Sequence, residues 1–181
     1  LARALSARGM VVLRYDKLGT GSTPLPATPV TWGDYVAEQR AGLALLAAHD
    51  AVDASHVYLA GHSEGGVHAV HLAADPGVPL AGLVLLAAPG RRFVDVILGQ
   101  LEGQFRAAGL SGADLATQMD PLRGGFDRLI AGEAVDPTEV SEIPPVQQFF
   151  AACAAPAGLP FARELLAFDP VAALAGLALP V

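Results

Sequence analysis

His56-Val57-Tyr58-Leu59-Ala60-Gly61-His62-Ser63-Glu64-Gly65-Gly66 decides how the rest of the chain is read. It is a short β-branched and aromatic run that stops at a Gly-x-Ser-x-Gly pentapeptide, the signature of a nucleophile elbow. A serine hydroxyl is a poor nucleophile. It has to stand clear of a sheet on a tight strand-to-helix turn, within reach of a base. Gly61 and Gly65 are the small residues that leave such a turn room, and Ser63 is the candidate nucleophile.

The residues after the turn, Glu64 to Ala74, predict a helix closed by Asp75-Pro76, with Ser63 at its N-terminus. Free N–H groups there favour negative charge. The backbone N–H of Glu64 is therefore the candidate for half of an oxyanion hole. A carboxylate at a helix start is favoured by the dipole, so the Glu64 side chain needs no catalytic explanation. His62 is expected to project away from Ser63 and to serve the elbow as structure.

Working outward, Leu1 to Arg8 reads as the end of a helix stopped by Gly9, and Met10 to Tyr15 as a first, mostly buried strand. Asp16 to Pro24 is a loop. It lacks the spacing of a phosphate-binding loop, and its prolines keep the following residues extended. Thr31-Trp32-Gly33-Asp34 starts a helix that runs to His49-Asp50. Val57 to Ala60 is the second strand and Leu80 to Ala87 a third, continuous apolar one. Strands separated by helices imply a parallel sheet buried on both faces, an α/β fold.

From Gly90 the pattern changes. Phe93, Ile97, Leu101 and Phe105 recur every four residues, and shorter helical pieces follow, split by Gly109, Pro121, Pro137 and Pro144-Pro145. Residues 91–168 are expected to form a helical cap inserted after the third strand. Residues 1–90 would be the core, and 169–181 the return to it, with Ala178 to Val181 leading into another strand. The chain opens inside a helix and closes on an apolar run, as an internal fragment truncated at both ends would.

Composition narrows the function. With 181 residues, 52% of them hydrophobic and 16% charged, the chain can bury one sizeable core. Its 11 basic and 18 acidic residues give a net charge of −7, which argues against nucleic acid or an anionic membrane as partner and favours small molecules. Residues 143–162 carry no charge, but Pro144, Pro145, Pro156 and Pro160 break any single spanning helix. Cys153 is the only cysteine, which excludes an internal disulfide and a cysteine-based metal site.

With these residues in place, the chain resembles the α/β-hydrolase superfamily, in particular its serine esterases and related peptidases, through Val57 to Gly66. A second match is Val11-Val12-Leu13-Arg14-Tyr15-Asp16-Lys17-Leu18-Gly19-Thr20-Gly21-Ser22. It is similar to the family's strand and loop one unit before the elbow, with Leu18 where the family usually has arginine. The resemblance implies a hydrolase without metal or cofactor that takes small esters or acyl compounds through an acyl-enzyme on Ser63. A serine aminopeptidase or acyl-peptidase, and a non-catalytic binding module of the same fold, are the alternatives. It also implies an acid and a histidine after later strands, beyond Val181, and a second oxyanion donor before Leu1.

The other candidates have simpler readings. His68 and His71 lie one turn apart without a third metal ligand, and His49 and His56 flank a loop at the far end of the elbow strand. Asp16 is expected to orient its loop, Asp95 and Asp169 to start helices, and Cys153 to fill the core. Trp32 and the phenylalanines of the cap are packing residues by default.

Overall fold

A computed structural model describes all 181 residues. It is a mixed α/β chain with two strands and nine helices, divided into two compact units. The first comprises Leu1–Pro26, Gly33–Gly90 and Pro170–Val181, the second Ala27–Trp32 and Arg91–Asp169.

In the first unit, α1 (Ala2–Ser6) ends on Gly9, whose φ of +84° lets the backbone N–H groups of Gly9 and Met10 turn back to the carbonyls of Ser6 and Leu5. After α2 (Trp32–Ala47) come β1 (Tyr58–His62), α3 (Glu64–Ala73) and β2 (Gly82–Leu86). β1 and β2 are parallel and in register from Tyr58 opposite Gly82 to His62 opposite Leu86. α3, the crossover between them, is the most buried helix of this unit: Val67, Ala69, Val70 and Leu72 are each no more than 2% exposed. α9 (Pro170–Ala175) packs on α3, and Asp169 stands just before its first residue, as expected of a helix start.

Two expectations fail here. Met10 to Tyr15 forms no strand, and Met10, Val11, Leu13 and Tyr15 are all exposed. An apolar β-branched run becomes a strand only when a neighbour completes its ladder. Met10 to Leu13 pair with no strand and instead line, together with Tyr58 to Ala60, a cavity of about 1020 Å3. Nor is the sheet buried on both faces. Tyr58, Val84 and Leu86 alternate on an open face, while Gly61 turns toward α3 and Leu83 is buried. Ala178 to Val181, expected to lead into another strand, is irregular, and the carbonyl of Pro180 accepts a hydrogen bond of 2.9 Å from the N–H of Leu83 in β2.

The second unit is helical. It holds α4 (Phe93–Ala107), α5 (Gly112–Ala131), α6 (Pro137–Val140), α7 (Pro144–Ala154) and α8 (Leu159–Ala167). Gly109, at φ +94°, separates α4 from α5, and the prolines at 137 and 144 open helices, where a missing N–H costs nothing. Asp136 caps α6 by accepting the N–H of Thr138 at 2.9 Å.

Pro121 does not split the helix, contrary to expectation. α5 runs straight through it. An interior proline costs about 3 kcal/mol. Leu115, Met119, Leu122, Phe126 and Leu129, all buried on one face of α5, offset that at roughly 1.5–3 kcal/mol each. They form the core of the unit with Phe105, Val140, Phe150 and Leu166, and the Phe126 and Phe150 rings lie 4.6 Å apart. The strip Ala27–Trp32 also belongs here: Val30 N–H donates to the Ala157 carbonyl, Trp32 N–H to the Glu164 carboxylate, and the Trp32 ring meets Phe168 edge-on at 4.9 Å.

Candidate active site

The turn between β1 and α3 is built by two hydrogen bonds. Ser63 N–H continues the ladder by donating to the Leu86 carbonyl at 3.0 Å. The Ser63 carbonyl then accepts from Gly66 N–H at 2.9 Å, closing a tight turn into α3. Between these bonds Ser63 has φ 52° and ψ −124°, outside the regions an L-residue prefers. Such a conformation costs of order 1–3 kcal/mol and persists only where its surroundings dictate it. Ser63 and Ala87 are the two non-glycine residues with positive φ, and each follows the paired strand ends His62 and Leu86.

The glycines divide differently from expectation. A Cβ at Gly61 would collide with the backbone of Gly65 and Gly66, and one at Gly66 with the Ala88 side chain. At Gly65 it would meet nothing within 4 Å. Close approach therefore requires Gly61 and Gly66, and Gly65 is not needed for room. His62, the last residue of β1, is exposed, as is Ser63.

Glu64 is the first residue of α3, so its N–H has no carbonyl one turn earlier to bond. That N–H lies beside the exposed serine, at the positive end of a ten-residue helix.

Its side chain does more than the sequence reading gave it. Glu64 Oε1 accepts from Lys17 Nζ at 3.2 Å and from His68 Nε2 at 3.3 Å. Gln39 Nε2 lies 3.2 Å from His68 Nδ1, and with the amide donating, the ring proton sits on Nε2 and points at Glu64. The His68 hydrogen bond, then the Lys17 ammonium, hold the Glu64 carboxyl at about 2 although burial pushes it up. The Tyr35 ring closes the group, with Lys17 5.4 Å above it and the His68 ring 6.0 Å away, edge-on. The spacing of Glu64 and His68, four residues apart on a helix, is a sequence signal for this pair. Nothing local in the sequence points to Lys17.

Asp16 orders the loop that carries Lys17, as expected: its carboxylate accepts from Ser22 N and Oγ, and its carbonyl from Thr23 Oγ1 at 2.9 Å. Leu18, standing where the resemblance has arginine, gives its N–H to the Glu38 carboxylate at 3.2 Å.

The remaining candidates are occupied elsewhere. His49 Nδ1 accepts from Ala51 N–H and His56 pairs with Asp53 at 2.7 Å. Asp95 pairs with Arg92 in the first turn of α4. Burial pushes the Cys153 thiol up to about 11, so it is not a thiolate nucleophile at neutral pH. No three His, Cys, Asp or Glu side chains are grouped to hold a metal ion, and no helix is long and apolar enough to cross a membrane.

The family model described as "Serine aminopeptidase, S33", of the α/β-hydrolase superfamily, matches residues 1–100. The chain belongs to that hydrolase family. The matched stretch contains both strands, the turn at Ser63 and the Lys17 loop. No curated protein matches the chain, and no solved structure does.

Proposed function

We propose that Ser63 is the nucleophile of a serine hydrolase acting on carboxylic esters: Oγ attacks the ester carbonyl, the alcohol leaves, and water releases the acyl group. The observation that carries this reading is the positive φ of an exposed, non-glycine Ser63 between a parallel strand and a helix N-terminus. In it the Glu64 N–H is one oxyanion donor, and Gly61, His62 and Gly66 serve as structure. His49, His56 and His68 all have partners other than Ser63. The base is assigned, from the family's serine, acid, histidine order, to a histidine after a later strand. No cofactor enters the reaction. Residues 91–168 are assigned the role of a cap inserted in the sequence between β2 and the return at Asp169.

One observation favours a second reading, a serine aminopeptidase with the same machinery: the matching family model carries that description. The substrate separates the two. For the full-length protein the expected result is turnover of short-chain alkyl esters such as methyl butyrate, and none of aminoacyl anilides such as alanine 4-nitroanilide. The reverse result establishes the aminopeptidase reading.

A further inference from the structure

We propose that Lys17 is a positioning residue for the Ser63 reaction, cancelling the charge of the Glu64 carboxylate beside the place where the oxyanion forms; the inference rests on Ser63 being the nucleophile.

The argument starts from a conflict inside one residue. With Ser63 as the nucleophile, the first N–H of α3, that of Glu64, serves the developing anion, while the side chain of the same residue carries a negative charge. Like charges in a partly dry site repel each other far more than in bulk water. An uncompensated carboxylate here would oppose the positive end of α3 that the reaction uses.

The structure resolves the conflict with a fixed cation. Lys17 Nζ sits 3.2 Å from Glu64 Oε1, and the same oxygen takes the His68 N–H at 3.3 Å, so the charged oxygen is held by two donors. Lys17 does not reach Glu64 from a free loop. Its carbonyl accepts from Thr20 Oγ1 at 2.7 Å and from Thr20 N–H at 2.9 Å, the next N–H is taken by Glu38, and the ammonium lies over Tyr35. Preorganised in this way, the cation needs no rearrangement when the anion appears.

A link that merely ties the loop to α3 would be broken equally by losing either partner. Charge cancellation behaves differently: losing the cation is harmful, and losing the carboxylate as well removes the harm. The experiment measures kcat and KM of the full-length protein on p-nitrophenyl acetate, a small neutral ester. Lys17→Met is expected to lower kcat about tenfold with KM within about twofold, because the repulsion acts on the transition state only. Lys17→Arg, which keeps the cation, retains most of the kcat. Adding Glu64→Gln to Lys17→Met is expected to raise kcat at least about threefold above Lys17→Met alone. A double variant no faster than Lys17→Met overturns the inference while leaving Ser63 in its role. A parent protein that turns over neither ester nor aminoacyl anilide overturns both.

Discussion

Ser63→Ala is expected to lower ester turnover by the full-length protein at least about 10^4-fold, since removing the nucleophile of a Ser-His-acid site leaves only the rate supplied by binding and the oxyanion donors. The fold is expected to survive. Ser63 is exposed, and its backbone bonds to Leu86 and Gly66 do not involve the side chain. Alanine is no more at ease at φ 52° than serine, so the strain stays in the variant. Ser63→Gly, equally inactive, carries no Cβ at that angle and is expected to be at least as stable as Ser63→Ala in urea denaturation. A Ser63→Ala protein that keeps turnover within about tenfold of the parent moves the nucleophile to another residue.

Gly61→Ala is the second large effect, and it reaches the reaction through packing. Its new Cβ would run into the main chain of Gly65 and Gly66, which cannot step aside as a flexible side chain does. The whole start of α3 has to move, and Ser63 with it. Overpacking against backbone costs about 3 kcal/mol, and a displacement of roughly 1 Å at the serine costs about a hundredfold in rate. Gly65→Ala is the internal control, because its Cβ points into open space and alanine is the better helix former. It is expected to stay within about 1 kcal/mol of the parent. Urea midpoints compare the two variants directly, and equal destabilisation would refute this account of the turn.

The contrast between those glycines shows where sequence reading stops. The strand run Val57 to Ala60, the pentapeptide and the small residues after it fixed both the turn and the helix, because the signals are local: a period of two, a period of 3.6 and a change between them. Which glycine is pressed against a neighbour is a matter of tertiary approach, so the pentapeptide points to Gly65, whereas the structure requires Gly66, held under Ala88. Met10 to Tyr15 has the composition of a strand, but a ladder is made by two partners and composition describes one. Pro121 carries a real helix-breaking cost that is invisible as an overridden one until the buried face of α5 is known. The Glu64 side chain was half legible. Its partner His68 lies one turn along the same helix, whereas Lys17 is 47 residues away in the sequence and comes near only because Asp16, Glu38 and Tyr35 hold its loop.

Glu64 also ties the site to pH. Its carboxyl is held at about 2, below its ordinary 4.5, so what the ion pair and hydrogen bond contribute to stability is fully present above pH 4.5 and is lost as pH falls toward 2. The pair is partly open to solvent, with 36% of the Glu64 side chain and 45% of Lys17 exposed, which holds that contribution to about 1 kcal/mol. Near neutral pH the Glu64 charge is constant, and a pH–rate profile there reports the base that activates Ser63.

The central claim, an activated serine on the turn between β1 and α3, is tested most directly by treating the full-length protein with a fluorophosphonate, which bonds covalently only to activated serines, and mapping the modified peptide by mass. The account predicts one adduct, on the peptide containing Gly61 to Gly66, at Ser63. A folded protein that takes up no adduct, or takes it up on another serine, contradicts the claim, and the absence of any adduct favours a binding module that keeps the elbow as structure.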